Sequence, residues 1–572
     1  MRFSLVIRIY SQCWSFPHIM KTNFLRINNL FVVVCIVSVL LISCVCNNNN
    51  NNNRGNLFFP FVNGQVQQLA SKNNSENLRQ AILPQIVQIS NGSTFHLTAG
   101  KVLKNINGNN VIMFGFNGQV PGPIIKVKQG SVIFINFTNN LDNGLASSIH
   151  WHGLKLNNKY DGVPGLTQAP VKPGQSFLYK LNFPNEGVYW YHSHYREDEE
   201  QGLGMYGIIL VEPKTKNYYN PVDIEAPLAL ADILMVNGSI YPYNNNHENF
   251  ALMGRYGNVM LVNGQTNYHL NVNKGQSVRF FLADTSNARP YNFTIERHKL
   301  KSIGGDSGKY EHESLVNSVI LSPAERQIVE VLFDKPGDFK ILNVTPEKTY
   351  QLGTIHVSNQ SPSRSLAINA YNASSFYALK ENKDIISQIQ PYTTKYLNEK
   401  PDYTIDLTVK LKESMKNMAQ MSGSSKEEKC KVGNTTCNIE WNVPPAKVKM
   451  NEDSTPATVD WILKNNATGK QLNVTNNTLQ MKLGDIKKIR FYNDPNSAHP
   501  MQHPIHIHGL RFLVLDQDEK INNNMGWKDT VLVPTGSTVD ILVIADNPGV
   551  WHMHCHIAEH LGASMETAVK VA

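Results

Sequence analysis

Short alternations of apolar and polar residues punctuate the chain, with Gly, Pro and Asn between them. A period of two places apolar side chains on one face, which is typical of a strand that is half buried in a sheet. Across the sequence, no long run of apolar residues stands out at the 3.6-residue spacing of an amphipathic helix. The pattern therefore predicts an all-β fold made of sandwich-type domains.

Two landmarks recur three times each along the sequence. The first is a strand–Gly–strand–Asn pattern with offsets of 145 and 209 residues, and its glycines are Gly130, Gly275 and Gly484. The second follows each first landmark with offsets of 150 and 212 residues, and its glycines are Gly187, Gly337 and Gly549. The agreement between the two predicts three homologous Greek-key β-sandwich domains in tandem, at residues 80–213, 221–360 and 401–572. Residues 361–400 are predicted to be a linker and residues 411–440 a polar insertion.

The N-terminal segment is basic and then apolar. Lys21 and Arg26 precede an apolar stretch of 17 residues at 30–46. Residues 1–46 are therefore predicted to be a signal peptide or a membrane anchor. Residues 47–79, which begin with seven asparagines, are predicted to be an Asn-rich spacer. Twelve Asn-X-Ser/Thr sequons fit a secreted glycoprotein, and export would also allow a disulfide between Cys430 and Cys437.

The charge argues against a polyanionic partner. The formal net charge is +8, from 53 basic and 45 acidic residues, but four of the cations lie within residues 1–46. The remaining 49 basic residues exceed the 45 acidic ones by only 4. We therefore expect no nucleic-acid partner, and contact with a membrane only if residues 30–46 are not cleaved.

Four His-X-His units stand at matching positions in the first and third repeats, two in each. They are His150-Trp151-His152, His192-Ser193-His194, His506-Ile507-His508 and His554-Cys555-His556. Because residues i and i+2 of a strand point to the same face, each unit presents two imidazoles side by side. Four such units on two related domains can converge eight imidazoles between them. A nitrogen-rich site of this kind suits copper, and also zinc or iron.

Cys555 lies between two of these histidines and therefore points to the opposite face of its strand. A thiolate there can bind a separate metal ion, and His503, His560 and Met565 can complete the ligands. Two imidazoles, one thiolate and a weak thioether are the ligand set of a blue-copper electron-transfer site.

These motifs resemble those of the three-domain multicopper oxidases, the laccase and metallo-oxidase family, over residues from about 85 to 572. The resemblance implies cupredoxin-like domains and four copper ions. The mononuclear type 1 copper would take His503, Cys555, His560 and axial Met565, and the type 2 copper would take His150 and His506. The type 3 pair would take His152, His192 and His556 on one ion and His194, His508 and His554 on the other.

The resemblance also implies a reaction. A reducing substrate would give single electrons to the type 1 copper, and Cys555 would pass them through His554 and His556 to the trinuclear cluster. Four electrons would then reduce dioxygen to two waters.

Two carboxylates are candidates for supporting roles. Asp161 resembles the family acid near the type 2 copper, where a carboxylate can shuttle protons, and an Asp-Gly turn is the alternative. Some family members have another acid directly after the last type 1 histidine, where this chain has Leu561. Asp529 resembles a residue that supports the type 1 site, with a strand-edge carboxylate as the alternative.

Several residues are candidates for contact with a substrate. Met415, Met418 and Met421 lie in the polar insertion, and soft thioethers select Cu(I), as in the Met-rich insertions of cuprous oxidases. Their spacing also fits a packed helix face, although Lys and Glu on both sides disfavour deep burial. His499 and Met501 are further candidates. The acidic run at residues 197–200 could attract Fe(II), and a solvated charge run is the favoured interpretation.

We therefore predict an oxygen-reducing multicopper oxidase that acts on metal ions such as Cu(I) or Fe(II), or on phenols. A copper nitrite reductase is the alternative among enzymes, but that class uses fewer His-X-His units. A non-catalytic cell-surface cupredoxin and a copper buffer are the alternatives outside enzymes. Structural cupredoxins of this kind typically lose copper ligands, and this sequence keeps the complete set.

Overall fold

The computed structural model describes residues 78–142, 144–360, 373–416 and 438–572. These residues form three β-sandwiches in tandem, each built from two main sheets. The predicted all-β fold is confirmed, while the domain boundaries stay a prediction. The expectations for the signal segment, for Met418 and Met421, and for the Cys430–Cys437 pair lie outside the described residues.

The first sandwich carries two of the His-X-His units. Its strands are β1 (Ile86–Gln88), β2 (Thr94–Ile106), β3 (Asn109–Phe116), β4 (Ile124–Lys128), β5 (Val132–Asn139), β6 (Ile149–His152), β7 (Ser176–Asn182), β8 (Gly187–Ser193) and β9 (Tyr206–Glu212). They form sheets in the orders β1-β4-β9-β8-β6 and β3-β2-β5-β7. Strands β6 and β8 pair antiparallel, and His150 lies opposite His192.

The second sandwich follows the same plan without paired histidines. Its strands are β10 (Ile224–Ile233), β11 (Met235–Val236), β12 (Ser239–Ile240), β13 (Val259–Val262), β14 (Tyr268–Asn273), β15 (Gln276–Asp284), β16 (Tyr291–Ile295), β17 (Leu300–Gly305), β18 (Gly308–Val316), β19 (Val319–Leu321), β20 (Arg326–Phe333), β21 (Gly337–Val344) and β22 (Thr349–Ser358). The main sheets have the orders β13-β10-β15-β20-β17-β18 and β14-β22-β21-β16-β19. Strand β21 corresponds to β8, and Leu342, which is five residues after Gly337 as His192 is after Gly187, lies opposite Thr294.

The third sandwich carries the other two units. Its strands are β23 (Tyr403–Leu411), β24 (Val459–Asn465), β25 (Leu479–Met481), β26 (Ile486–Asn493), β27 (His503–Ile507), β28 (Arg511–Gln517), β29 (Lys520–Ile521), β30 (Thr530–Val533), β31 (Thr538–Ile544), β32 (Gly549–Cys555) and β33 (Glu566–Val571). The sheets have the orders β24-β23-β26-β31-β28-β29 and β25-β33-β32-β27-β30. His506 on β27 lies opposite His554 on β32, which repeats the register of β6 and β8.

Helices are short and lie mainly between the strands. The α-helices are α1 (Glu197–Glu200), α2 (Ala373–Phe376), α3 (Lys383–Tyr396), α4 (Val448–Glu452) and α5 (Ala558–Gly562), and 3-10 turns cover Asn158–Tyr160 and Pro445–Lys447. Helix α3 lies in the segment predicted to be a linker. It packs Ile385 and Ile389 against an apolar cluster of the third sandwich that includes Trp527. Within the described residues, no helix is both long and apolar enough to cross a membrane.

The alternation of the strands separates the histidines from the apolar cores. Trp151, between His150 and His152, belongs to the core of the first sandwich. Ile507 and Cys555, which stand between the histidines of the third sandwich, belong to its core. The imidazoles therefore project from the opposite face, toward the junction of the first and third sandwiches.

Candidate metal centres

The ends of β6, β8, β27 and β32 bring all four His-X-His units together. We call the resulting group the eight-histidine cluster: His150, His152, His192, His194, His506, His508, His554 and His556. Each of these histidines is at most 7% exposed. The rings of His152 and His506 stack with centroids 3.7 Å apart, and those of His150 and His508 are 3.8 Å apart. The cluster therefore interleaves side chains from the first and third sandwiches.

Most rings of the cluster have one nitrogen held by an oxygen acceptor. In four rings Nδ1 donates to a backbone carbonyl. The distance is 2.8 Å for His150, His192 and His506 and 2.9 Å for His554. Nε2 of His150, His192 and His506 is buried and has no hydrogen-bond partner among the described residues. A donor bond at one nitrogen leaves the lone pair of the other for a metal ion. These unpartnered buried nitrogens fit copper.

Burial also favours the neutral form of seven of the eight rings. It is the largest cause that lowers the pKa of His152, His192, His194, His506, His508 and His554 well below the ordinary value. Burial lowers the pKa of His556 to about 3. Neighbouring imidazoles add to the effect, because two cations this close would repel each other. Neutral imidazole is the form that binds a metal ion.

Ligand atoms that lie within 4.8 Å of one another define overlapping groups of histidines, one of which adds His552 to members of the cluster. One group is His152, His192 and His556, and another is His194, His508, His552 and His554. A third contains His150, His152 and His506. The structure thus brings together the sets that the sequence proposed for the type 3 and type 2 ions, while their roles as ligands stay a prediction.

The candidate mononuclear site lies on the other face of β32. Cys555 Sγ is 3.6 Å from His503 Nδ1 and 3.7 Å from His560 Nδ1, and the two imidazole nitrogens are 3.3 Å apart. Burial raises the pKa of the Cys555 thiol, which is free and buried in the described structure. Met565 is fully buried, and its backbone oxygen accepts from Cys555 N at 3.1 Å. Metal binding would offset the cost of ionising this thiol.

Asp161 connects the two halves of the eight-histidine cluster. Its Oδ2 accepts from His508 Nδ1 at 3.0 Å, and its backbone oxygen accepts from His150 Nδ1 at 2.8 Å. The next residue, Gly162, has a φ of +87°, and a Cβ there would stand 1.9 Å from the carbonyl oxygen of Ile149. The turn therefore requires glycine in order to hold Asp161 between the histidines. A catalytic role for Asp161 stays a prediction.

The expectation that Asp529 supports the type 1 site is wrong, because Asp529 contacts the eight-histidine cluster instead. Asp529 Oδ1 accepts from His152 Nε2 at 3.0 Å, and its backbone oxygen accepts from His506 Nδ1 at 2.8 Å. Both contacts belong to the eight-histidine cluster. The sequence around Asp529 does not reveal them, because His152 is 377 residues away.

The interpretation of residues 197–200 as a solvated charge run is also wrong. Glu197, Asp198 and Glu200 are at most 5% exposed. Glu200 accepts from Ser147 Oγ at 2.7 Å, Asp198 pairs with Arg196, and Glu197 Oε1 lies 3.1 Å from His194 Nδ1. Burial raises the pKa of Glu197 and Glu200 well above the ordinary value. Of these carboxyls, Glu197 lies beside a histidine of the cluster.

The predicted substrate residues that the structure describes are buried. Met415 is 2% exposed and packs in the core of the third sandwich, contrary to the expectation of shallow burial. The expectation relied on its charged neighbours in sequence, whereas the side chain turns toward a core that includes Met450. Met501 and His499 are 0% and 5% exposed. A role in substrate binding stays a prediction for all three.

Sequence reasoning missed His552. It stands two residues before His554 on β32, so the alternation that identified the other units also places it on the face of the cluster. Its ring centroid is 4.6 Å from that of His554 and 5.3 Å from that of His508.

Three family models described as multicopper oxidase match residues 99–216, 218–363 and 438–572. The oxidoreductase tpcJ of Aspergillus fumigatus is 27% identical over 525 residues, which cover 82% of each chain. Laccase-1 of Fomitopsis schrenkii is 28% identical over 462 residues, which cover 78% of this chain and 80% of that protein. The solved structure of a Campylobacter jejuni multicopper oxidase, described as a metallo-oxidase, has a TM-score of 0.61 at 23% identity. It covers 87% of this chain and 98% of that one.

Proposed function

Because the chain belongs to the multicopper oxidase family, and is therefore a copper-dependent oxidoreductase that uses oxygen, we propose a role for each group of residues at the two candidate copper sites. The eight-histidine cluster binds three copper ions at which dioxygen is reduced. His503, Cys555, His560 and Met565 bind a fourth ion that receives electrons from the substrate. The observation that carries this proposal is the convergence of eight buried imidazoles. In four of them one ring nitrogen is bonded to oxygen and the other is buried without a hydrogen-bond partner among the described residues: His150, His152, His192 and His506.

The proposed ligands follow the geometric groups. His150 and His506 hold the type 2 ion. His152, His192 and His556 hold one ion of the type 3 pair, and His194, His508 and His554 hold the other. When bound, copper supplies one-electron transfer and a site for dioxygen.

The chain itself joins the two sites through adjacent residues. Cys555 belongs to the mononuclear site, and its covalent neighbours His554 and His556 belong to the cluster. The backbone oxygen of Cys555 also accepts from His554 Nδ1 at 2.9 Å. A short path of covalent and hydrogen bonds thus runs between the two sets of ligands.

Asp161 is the proposed proton-transfer residue. Its Oδ2 holds His508 at Nδ1, while its Oδ1 lies 3.4 Å from His150 Nδ1 and is unpartnered by hydrogen-bond geometry in the described structure. Oδ1 is the atom that can accept or release a proton. Reduction of dioxygen to water consumes protons, and a carboxylate within reach of the cluster can supply them.

The reducing substrate is a metal ion or a phenol. Both substrate classes are supported by the similar proteins, which include a laccase and a structure described as a metallo-oxidase. Cu(I) would be bound by the thioethers of Met415, Met418, Met421 and Met501 and by His499. We also propose that the protein is secreted, on the basis of residues 1–46.

The first experiment measures colour and oxygen uptake of the copper-loaded protein with a reductant. We expect a blue protein that consumes oxygen, and we expect Cys555→Ser to lose both properties. Met553→Leu changes a core-facing residue of the same strand and should keep both. A colourless wild-type protein that binds copper without consuming oxygen would contradict the proposal.

A second experiment addresses the substrate. Oxygen uptake is compared for Cu(I), Fe(II) and phenols before and after Met415, Met418 and Met421 are replaced by Leu. Selective loss of the Cu(I) rate would support thioether binding. An unchanged Cu(I) rate would exclude these methionines.

A further inference from the structure

We propose that His552 is a fourth imidazole ligand of the copper ion assigned to His194, His508 and His554. The inference rests on the proposed function of the eight-histidine cluster. It adds a residue that the four His-X-His units do not contain.

Strand geometry places His552 on the face of the cluster. His552 and His554 are two residues apart on β32, and their rings stack with centroids 4.6 Å apart at 28°. The ring of His552 lies 5.5 Å from that of His194 and 5.3 Å from that of His508. One ligand atom from each of the four residues lies within 4.8 Å of the others. The spacing therefore suits a single ion bound by all four.

The two nitrogens of His552 have different surroundings. Nε2 is 2.6 Å from Glu566 Oε2. Nδ1 is buried and has no hydrogen-bond partner in the described part of the chain. Histidines that bind a metal ion commonly donate their second ring N–H to a carboxylate, which sets the tautomer and the ring orientation. The Glu566 contact leaves the Nδ1 lone pair available to copper.

The other three rings of the group show the same division. His508 Nδ1 donates to Asp161 and His554 Nδ1 donates to the Cys555 carbonyl. Their Nε2 atoms lie 3.0 Å apart. His194 Nδ1 is 3.1 Å from Glu197 Oε1, while its Nε2 is unpartnered among the described residues. Each ring thus has one nitrogen beside an oxygen atom and the other available for the shared ion.

The proposal makes the two ions of the type 3 pair unequal. His152, His192 and His556 provide three imidazoles to one ion, whereas the other would have four. His552 is 2% exposed, so this extra ligand is inside the protein and not at a surface where free metal ions could bind by chance.

The test compares copper retention of the full-length protein with that of His552→Gln. Gln keeps a hydrogen-bonding side chain near Glu566 but lacks the imidazole. We expect copper to transfer to a chelator at least about tenfold faster, since losing even an outer partner of a ligand commonly costs 10–100-fold in affinity. The shift in Tm that copper causes should also become smaller, because a ligand that binds only the folded state stabilises it in proportion to its affinity.

The matched control is His298→Gln in the second sandwich. His298 donates to the Glu296 carbonyl at 2.8 Å and packs against Phe333 and Phe339, remote from the copper motifs in the chain. This variant should retain copper like the unaltered protein. His552→Cys, which restores a copper ligand, should regain part of the retention that His552→Gln loses.

Two results would overturn the inference while leaving the proposed function intact. In one, His552→Gln releases copper at the unaltered rate. In the other, it lowers the Tm of the copper-free protein but leaves the copper-dependent shift unchanged, which indicates a purely structural role. If His552→Gln does not fold, Glu566→Gln is measured instead, and unchanged copper release then overturns the inference. Failure of the unaltered protein to load copper in the cluster would instead refute the proposed function.

Discussion

Arg326 of the second sandwich forms a buried ion pair with Asp529 of the third. Arg326 Nη1 donates to Asp529 Oδ1 at 2.7 Å, and Nη2 contacts Oδ2. Arg326 Nε also donates to the Val188 carbonyl of the first sandwich at 3.0 Å. Asp529 in turn accepts from His152 in the cluster. The sandwich that lacks paired histidines therefore helps to orient the imidazoles of its neighbours.

Replacing Arg326 with Gln should lower the free energy of unfolding by about 3 to 5 kcal/mol, because it leaves the buried Asp529 and Asp306 carboxylates without their guanidinium partner. Urea unfolding of the copper-free protein measures the change. Arg297→Gln alters an arginine that is 73% exposed in the same sandwich and should change stability by less than about 0.5 kcal/mol. If Arg326→Gln changes the free energy of unfolding as little as Arg297→Gln does, the ion pair is dispensable.

Replacing Asp161 with Asn should reduce oxygen uptake by about 10- to 100-fold, because the amide is a poor proton acceptor and a weaker partner for His508. Oxygen consumption at saturating reductant and copper content are both measured. Retained copper with slow uptake would support proton transfer, and parallel loss of both would support a positioning role alone. Asp142→Asn, at a carboxylate that is 61% exposed, is the control. Unchanged uptake in Asp161→Asn would contradict both roles.

Replacing Met415 with Ala should destabilise the protein by about 2 to 5 kcal/mol, because it removes a buried side chain from a packed core. Met415→Leu nearly conserves the volume and should cost less than about 1.5 kcal/mol. Denaturant unfolding distinguishes the two. If Met415→Ala is as stable as the wild-type protein, the side chain does not contribute to the core as the structure indicates.

Asp516 should make stability depend on pH. Burial and the nearby Asp540 carboxylate raise the pKa of Asp516 to about 6 from a reference of 3.8, although Lys488 and Arg490 oppose the shift. Between pH 3.8 and about pH 6 the unfolded chain releases a proton that the folded chain keeps. The contribution of Asp516 to the free energy of unfolding therefore falls as the pH rises through this range. Above the folded pKa this contribution is constant.

Asp516→Asn removes this titration. From about pH 4 to about pH 6, the free energy of unfolding of Asp516→Asn minus that of the wild-type protein should therefore increase by about 1 to 2 kcal/mol. One pKa unit corresponds to about 1.4 kcal/mol. The full shift is not expected, because Asp540 shares the proton. Thermal unfolding across this range measures it. Asp518→Asn, at a nearby carboxylate that accepts from Thr538 N, is the comparison. A difference that does not vary with pH would be contrary to this account.

The parts of the molecule that follow from local periodicity could be predicted from the sequence. The three sandwiches and the convergence of the His-X-His units depend on strand alternation and on repeats that a single chain displays. His552 obeys the same rule and could have been included, because it continues the alternation of His554 and His556.

The contacts that were missed depend on residues far apart in the chain. The burial of Glu200 depends on Ser147, which is 53 positions away, and the location of Asp529 depends on Arg326, which is 203 positions away. Charged neighbours in the sequence suggested exposure for Glu197 and Met415, but such neighbours do not determine which way a side chain turns. Packing of distant elements makes that choice.

One face of strand β32 carries histidines of the eight-histidine cluster, and the other face carries Cys555 of the mononuclear site. Both candidate copper sites therefore depend on the alternation of a single strand. No residue separates Cys555 from His554 or His556, and inserting one between Cys555 and either histidine would turn that imidazole and the thiol toward the same face of the strand. Both sites would be lost together. Their separation is also determined by consecutive peptide units, at about 3.8 Å between adjacent Cα atoms. The separation between the two candidate sites along β32 is therefore insensitive to small shifts of one sandwich against another. Substitutions elsewhere in the chain can alter the surrounding domains without changing this separation.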